Sequence, residues 1–340
     1  NYVEASRIIM ENGRFTGLEL RNTINGEEKR IHGKVLVNAT GPFINSFLSE
    51  QGLLEKPFLR PTKGVHIILP HEAFPVSHAI TFSSAVDGRV MFILPWHGYT
   101  LIGTTDTAGN PEEDKEATPK DIEYILNSIQ GISNTYHPEK SQIINAYAGW
   151  RPLVAEEKKE SDISRTHRIW IHPGGIVSIG GGKLTTYRRM AYDCIQKILH
   201  HFPLSPKKNL RTDRIPLPGA EGLTLPIKVF EEVPFPFGNR QKILEKYLRK
   251  EEGEKRLDSQ VALTKGEILF YLYEEMALTP SDILERRTSL ALKRPDYGVS
   301  LLDPILEVME KEMGWGKEER ERQKKAYMRL VEEKQKWKKS

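Results

Sequence analysis

Residues 176–188, with the sequence IVSIGGGKLTTYR, are the stretch on which the fold assignment rests. A short apolar run ends in three glycines at 180–182, and a helical pattern begins at about Leu184. Glycine lets a ligand come close to the backbone, and the first amides of a helix carry N–H groups with no partner inside the helix. The stretch therefore predicts a strand–turn–helix unit that binds an anion or a group that becomes anionic, with Lys183 adding positive charge. The spacing differs from that of a nucleoside-triphosphate loop, and a tight turn without a ligand is the alternative.

An earlier stretch, residues 35–42 with the sequence VLVNATGP, has a similar character. Its strand is apolar on both faces, which is typical of a parallel sheet that is covered on both sides. Small residues follow at its end, at the edge where open α/β sheets bind their ligands. Together with the α/β pattern of residues 148–200, this stretch indicates a fold of the α/β class.

Antiparallel structure is predicted on either side of these strands. Residues 1–41 begin as a meander, because the Asn-Gly pairs at 12–13 and 25–26 favour tight hairpin turns. Residues 59–105 alternate strands with turns and predict an antiparallel sheet that forms one wall of a pocket. A capping pattern at residues 118–121 then starts an amphipathic helix that packs on this sheet.

The last third of the chain reads as helical. Residues 216–236 are rich in Pro and Gly and predict a linker, after which helical patterns continue to the end. The fold class is thus α/β plus α. The predicted division is an α/β domain at residues 1–45 and 148–205, an antiparallel-sheet domain at 46–147 and an all-helical domain at 216–340.

Composition excludes several classes of protein. Of the 340 residues, 28% are charged and 38% hydrophobic, a balance that excludes a disordered chain. The longest apolar runs, such as 90–94, are far shorter than the roughly 18 residues of a membrane span. The single cysteine, Cys194, is expected in the core, and neither a disulfide nor a metal site is predicted.

Positive charge is concentrated at the end of the chain. The net charge is +4, and residues 317–340 alone carry ten Lys and Arg against five Glu. The signs alternate at helical spacing, which is typical of a solvated helix face. Nucleic-acid binding is not predicted, because few aromatic residues stand among these charges.

Three short segments carry polar side chains suited to an anionic substrate. Arg151 lies between Trp150 and Pro152, which restrict the backbone around a guanidinium that can clamp a phosphate or carboxylate. Arg165 follows in a second such segment, and His66 lies on a strand of the predicted pocket sheet, where it could move a proton. Taken singly, each is more often an ion-pair partner or a structural histidine.

Six motifs in order along the chain resemble the FAD-dependent glycerol-3-phosphate dehydrogenases of the D-amino-acid-oxidase-like flavoprotein group. The resemblance extends from about residue 1 to 335. The motifs are VNATGP at 37–42, RPTKGVH at 60–66, IGTTD at 102–106, GWRPL at 149–153, GGKLTTYR at 181–188 and DILERRT at 282–288.

The resemblance implies FAD as cofactor and glycerol 3-phosphate as substrate, oxidised to dihydroxyacetone phosphate with hydride transfer to the flavin. Arg151, Arg165 and Lys183 would bind the substrate, and His66 would accept the hydroxyl proton, which makes His66 and Arg151 the catalytic residues. The implied cofactor-binding residues are Ala39, Thr40, Gly41, Gly181, Gly182, Lys183, Leu184 and Thr185.

The family also opens with a Gly-x-Gly-x-x-Gly segment that holds the FAD pyrophosphate, and this sequence contains none. We therefore expect an incomplete, Rossmann-like FAD-binding domain. As a fragment of such an enzyme, the chain by itself is expected to bind FAD weakly or not at all and to be inactive. The expected electron acceptor is a quinone. The protein itself is expected in the cytoplasm. A glycerophosphate oxidase that reduces oxygen to peroxide, or a non-enzymatic interaction fragment, are the alternatives. Homodimerisation and peripheral attachment to the inner face of the cell membrane stay open.

Overall fold

The computed structural model describes residues 1–155, 166–205, 211–222, 237–259 and 261–339. Within them the strands are β1 (Val3–Glu11), β2 (Arg14–Asn22), β3 (Glu28–His32), β4 (Leu36–Asn38), β5 (Thr62–Pro70), β6 (Ile80–Ser83), β7 (Val90–Trp96), β8 (Tyr99–Gly103), β9 (Thr107–Ala108), β10 (Asn145–Arg151), β11 (Arg168–His172), β12 (Ile176–Gly180), β13 (Arg256–Asp258) and β14 (Val261–Thr264). The α-helices are α1 (Ile44–Glu50), α2 (Pro119–Ser128), α3 (Tyr187–His201), α4 (Gln241–Leu248), α5 (Lys265–Glu274), α6 (Leu290–Lys293), α7 (Leu302–Met313) and α8 (Lys317–Lys334).

The chain forms two compact units. The first comprises Asn1–Gly64, Thr105–Lys115 and Ala148–Thr212, and the second comprises Val65–Thr104, Glu116–Tyr147 and Asp213–Ser340. The second unit therefore contains both the antiparallel sheet and the C-terminal helices. The three-domain division made from the sequence stays a prediction. Part of the predicted linker, residues 223–236, lies outside the described residues.

The first unit contains the predicted parallel strands. β12 pairs with β4 in parallel, with Val177 opposite Val37, and with β11 antiparallel. The prediction that β4 is covered on both faces is wrong for Val37, which is 39% exposed. Successive side chains of a strand point to opposite faces, and only the face that carries Leu36 packs, against Phe15 and Ile176.

The predicted meander is also found in the first unit. β1, β2 and β3 form an antiparallel sheet in sequence order. Asn12 and Gly13 both have positive φ, at 51° and 72°, and Gly26 has a φ of 77°. The predicted tight turn is confirmed at residues 12–13, which are the only residues between β1 and β2. At residues 25–26 the prediction is wrong in detail, because Asn25 does not have a positive φ and residues 23–27 form a longer connection between β2 and β3.

The second unit contains the predicted antiparallel sheet. β5 pairs with β8, β8 with β7 and β7 with β6, all antiparallel. The helix predicted beside it is α2, whose capping box joins Thr118 and Asp121: Asp121 N donates to Thr118 Oγ1, and Thr118 N donates to the Asp121 carboxylate. The local pattern at 118–121 therefore predicted this helix start correctly.

The C-terminal region has its own core, built mainly by α4, α5, α7 and α8. It is not all-helical as predicted, because β13 and β14 form a short antiparallel ribbon. Val261 and Leu263 alternate with exposed Ala262 in β14, and this period of two favours a strand over a helix. None of the helices in the described part of the chain is long and apolar enough to cross a membrane.

The basic helix α8 is a solvated, ion-paired helix, as the charge pattern predicted. Arg320 pairs with Glu310 at 2.8 Å, and Lys324 pairs with Asp303 at 2.8 Å. Tyr327, seven residues after Arg320 and on the same face of the helix, is 2% exposed. The two ion pairs therefore border the buried face of α8, while charges on the other face, such as Arg322 and Lys325, are exposed.

Candidate functional site

The two predicted cofactor-binding segments lie at one edge of the parallel sheet. Because β4 and β12 are parallel and in register, with Ser178 opposite Asn38, the residues that follow each strand emerge side by side. Ala39, Thr40 and Gly41 follow β4, and the glycines at 181–182 follow β12. The structure therefore brings these two segments together.

The turn after β4 is held by Asn38. Its Oδ1 accepts hydrogen bonds from the backbone N of Thr40 at 3.2 Å and from Thr40 Oγ1 at 2.8 Å. Asn38 is 2% exposed, and its Nδ2 has no hydrogen-bond partner among the described residues. A buried amide donor in this state is costly unless a ligand accepts its hydrogen bond.

The turn after β12 requires glycine. Gly181 and Gly182 both have a φ of 77°. A Cβ on Gly181 would lie 2.7 Å from Thr166 O, and one on Gly182 would lie 2.4 Å from Met190 Sδ. No other residue fits either position without rearrangement.

The helix that follows begins later than predicted. Residues Leu184–Thr186 form a 3₁₀ turn, and α3 starts at Tyr187. Thr186 Oγ1 accepts a hydrogen bond from the backbone N of Lys183 at 3.3 Å, while Lys183, Leu184 and Thr185 are exposed. The turn therefore presents its backbone, the lysine and the 89% exposed side chain of Leu184 to its surroundings.

These features fit the flavin part of FAD. A cradle that only glycine can form, a buried amide donor at Asn38 and the positive charge of Lys183 together favour a flat ligand that accepts hydrogen bonds and gains negative charge. The residues that would hold such a ligand are Ala39, Thr40, Gly41, Gly181, Gly182, Lys183, Leu184 and Thr185.

Arg151 lies at the end of β10 in the first unit, with its guanidinium in a defined setting. Nη1 donates to Thr105 O at 3.2 Å and to Asp106 Oδ1 at 3.3 Å. A Cβ on Gly64 would lie 2.4 Å from Nη2, so the guanidinium occupies space that only a glycine leaves open. Gly64, Thr105 and Asp106 were not predicted as partners of Arg151, although they lie in the motifs at 60–66 and 102–106.

Lys63, beside Gly64 in the chain, is a buried cation that was not among the predicted site residues. It is 2% exposed, and its Nζ lies 2.7 Å from Asp114 Oδ2 and 2.9 Å from Oδ1. Trp150 Nε1 donates to the backbone oxygen of Asp114 at 3.1 Å. A lysine inside a strand motif was the only signal in the sequence.

His66 lies on β5 in the second unit. Its partner across the sheet is Gly103, where a Cβ would lie 2.3 Å from His66 Cδ2. The imidazole stacks on Tyr147, with ring centroids 5.2 Å apart and an angle of 10° between the planes. Burial raises the pKa of Tyr147, so that phenol stays neutral beside the histidine.

Three of the four predicted substrate-site residues lie in the described part of the chain, and these three do not all belong to the same unit. Arg151 and Lys183 belong to the first and His66 to the second, while Arg165 lies outside the described residues. Their convergence on one cavity stays a prediction. A cavity of about 940 Å³ in the first unit, lined in part by Phe58, Trp170 and His172, contains none of the predicted site residues.

Cys194 is a core residue, as predicted. It is 3% exposed, and it packs with Val177, Ile179 and Ile198. Burial raises the pKa of its thiol, the opposite of what a nucleophilic cysteine requires.

Comparison with protein families shows that the chain belongs to the family described as FAD dependent oxidoreductase, whose model matches residues 1–188. A second model, for the C-terminal domain of alpha-glycerophosphate oxidase, matches residues 210–320. FAD as the cofactor is thus confirmed at the level of the family. The resemblance drawn from the six motifs is confirmed as well.

Curated relatives match nearly the whole chain. They include a probable mitochondrial glycerol-3-phosphate dehydrogenase of Dictyostelium discoideum, 29% identical over 96% of this chain and 56% of the relative. The glycerol-3-phosphate dehydrogenase 2 of Mycobacterium bovis is 31% identical over 96% of this chain and 58% of the relative. The chain spans a little over half the length of these relatives.

A solved structure shows the same fold. The glycerol-3-phosphate dehydrogenase from Bacillus halodurans, complexed with FAD, has a TM-score of 0.81 and 24% identity to this chain. The match covers 98% of this chain and 69% of that one. The predicted fold class is therefore confirmed.

Proposed function

We propose that this protein oxidises sn-glycerol 3-phosphate to dihydroxyacetone phosphate with FAD as its cofactor. The observation that carries the proposal is the meeting of residues 39–41 and 181–185 at the carboxyl edge of the β4–β12 pair. Its substrate is proposed from the names of the curated relatives, which are glycerol-3-phosphate dehydrogenases.

The sheet-edge residues hold the cofactor. Gly181 and Gly182 would let it approach the backbone of the turn, and Asn38 fixes the Thr40 turn on the neighbouring strand. FAD, when bound, supplies the two-electron oxidant for the substrate carbon. The cationic turn at Lys183 favours the negative charge that accompanies reduction.

The substrate is held by its phosphate. Arg151 binds phosphate oxygens through its planar guanidinium, and Lys183 and Arg165 add charge to the same anion. His66 accepts the proton of the C2 hydroxyl group, with Tyr147 and Gly103 fixing the plane of its ring. Neutral imidazole is the form that can accept this proton.

The electron acceptor is proposed to be a quinone, with oxygen as the second candidate. With a quinone as acceptor, the protein would work in the cytoplasm at the inner face of the cell membrane. Assays of the FAD-loaded protein with glycerol 3-phosphate distinguish the two, because only reduction of oxygen yields peroxide. We expect quinone reduction without stoichiometric peroxide.

The proposal as a whole is tested by purification and substrate addition. Because this sequence contains no Gly-x-Gly-x-x-Gly segment and we propose that it is inactive by itself, the test uses the full-length enzyme. For that enzyme we expect a yellow preparation whose flavin absorbance near 450 nm bleaches when glycerol 3-phosphate is added without oxygen. Glycerol, which lacks the phosphate, is the control and should leave the absorbance unchanged. Flavin-loaded protein that glycerol 3-phosphate does not bleach would contradict the proposed substrate. Protein that retains no FAD would favour the non-enzymatic interpretation.

A further inference from the structure

A carboxylate lies directly beside the guanidinium to which we assign the substrate phosphate. The Asp106 side chain is 9% exposed, and its Oδ1 is 3.3 Å from Arg151 Nη1. A negative charge this close to a bound phosphate opposes the binding by Coulomb repulsion. Any favourable effect of Asp106 on phosphate binding must therefore come from a property other than its charge.

The hydrogen bond to Asp106 is one of the contacts that set the orientation of the planar guanidinium group of Arg151. The hydrogen bond from Nη1 to Asp106 and the one to Thr105 O are both directional. Gly64 has no side chain, and this leaves room for the guanidinium: a Cβ at this position would lie 2.4 Å from Arg151 Nη2. Since the donors of a guanidinium have a fixed geometry in one plane, fixing one end of the group fixes where the others point.

The acceptors themselves stand on a segment that is anchored along its length. Thr105–Lys115 pairs with the beginning of β5 through β9, where Thr107 is opposite Lys63. Farther along it, Asp114 binds the buried ammonium group of Lys63 and accepts a hydrogen bond from Trp150. Asp106 is therefore presented on a backbone that is held on both β5 and β10.

We propose that Asp106 is a positioning residue, which orients the Arg151 guanidinium for the phosphate of the substrate. The inference rests on the proposed function, since it takes Arg151 as the phosphate-binding group. Its effect is on binding geometry rather than on net charge. Removing the carboxylate therefore weakens binding of the phosphate group even though it removes a repulsive charge.

Two substitutions separate positioning from charge. Asp106→Ala removes both the hydrogen-bond acceptor and the charge, whereas Asp106→Asn keeps an acceptor oxygen in the same place. Positioning predicts that the KM for glycerol 3-phosphate rises about 10-fold or more in Asp106→Ala and clearly less in Asp106→Asn, the range expected when a hydrogen bond to a charged group is lost. The kcat should change less than the KM.

Binding is measured separately from turnover. The FAD-loaded variants are titrated with glycerol 3-phosphate and with inorganic phosphate, with calorimetry as the readout, and the dissociation constants should follow the same order as the KM values. Asp303→Asn, which removes a paired carboxylate in the helical region, is the control and should leave both constants and the flavin content unchanged.

The outcomes are distinct. Equal or tighter binding in both Asp106 variants would show that the carboxylate only repels the anion and would overturn the inference. Weaker binding only in Asp106→Ala supports it, and Asp106→Asn keeps the test valid if the alanine variant fails to fold. A wild-type protein that binds phosphate but does not oxidise glycerol 3-phosphate would instead defeat the proposed function and leave the role of Asp106 measurable by binding.

Discussion

Arg151 and His66 lie in different units, yet each side chain occupies the space over a glycine of a neighbouring strand. A Cβ on Gly64 would lie 2.4 Å from the guanidinium of Arg151, and a Cβ on Gly103 would lie 2.3 Å from the ring of His66. Neither glycine is needed for a left-handed backbone conformation, in contrast to Gly181 and Gly182. Both glycines are needed because a Cβ at either position would overlap the neighbouring side chain.

The two settings differ in what holds the side chain. The guanidinium of Arg151 is held by directional hydrogen bonds to Thr105 and Asp106 and is carried on a long, flexible aliphatic chain. His66 is held by stacking on Tyr147 and has only two rotatable bonds. A charged group fixed by hydrogen bonds can move aside at little cost in stability, whereas a short ring packed between a strand and an aromatic side chain cannot.

The largest effect is expected from removing the guanidinium itself. Arg151→Ala should lower kcat/KM for glycerol 3-phosphate by about 100-fold or more, because charge-assisted hydrogen bonds to the phosphate are lost. Arg151→Lys keeps the charge without the planar fork and should recover part of the loss. Steady-state kinetics of the FAD-loaded variants measure this, and unchanged kinetics would remove Arg151 from the site.

Gly103→Ala should come next and should affect stability as well as activity. The new Cβ forces the His66 ring out of its stack, and overpacking of this kind costs roughly 1–3 kcal/mol of the free energy of unfolding. We expect a lower melting temperature and a kcat reduced by about 10-fold or more, the scale of general-base catalysis. A Cβ on Gly149 meets nothing within 4 Å, so Gly149→Ala is the matched control. Wild-type kcat in Gly103→Ala would mean that the position of the ring is not important.

Gly64→Ala should separate function from stability. The arginine can swing away from the added methyl group, so the melting temperature should stay within a degree or two of wild type while the KM rises by about 10-fold, the scale of one lost charge-assisted hydrogen bond. Gly149→Ala again serves as the control. A large loss of stability with an unchanged KM would contradict the view that this glycine serves the guanidinium.

The smallest effect is expected at Tyr147. Stacked aromatic pairs contribute about 0.5–1.5 kcal/mol beyond the area they bury, so Tyr147→Leu should lower kcat only a few-fold. Tyr147→Phe retains the stack and should behave as wild type. If Phe were as impaired as Leu, the hydroxyl group and not the stack would be what matters, and the kinetics of the two variants compared at several pH values would reveal this.

The sequence predicted those parts of the molecule that local signals specify. The Asn-Gly turn at 12–13, the capping box at Thr118 and the strand–glycine–helix unit at 176–188 each depend on neighbouring residues, so they could be identified without the fold. The exposure of Val37 could not, because it depends on what packs on that face of β4. The ribbon of β13 and β14 was missed because Val261, Ala262 and Leu263 are all apolar, so the alternation seen in their burial is not visible in the sequence.

The site was predictable only in part for the same reason. Gly64 and Asp106 are both inside quoted motifs, but their contact with Arg151 joins segments far apart in the chain. Which glycine faces which side chain depends on strand pairing and register, which the sequence does not specify. The segment that contains Arg165 lies outside the described residues, and its role stays a prediction.

The boundary between β12 and the turn after it has a consequence for local opening. Every residue of β12 is buried between two paired strands, while residues 183–189 are exposed. Amide deuterium uptake should therefore be slow through residues 176–180 and fast at 183–186. A bound cofactor that accepts hydrogen bonds from the turn should slow uptake there and leave the strand unchanged, so this short segment can report occupancy without any assay of turnover.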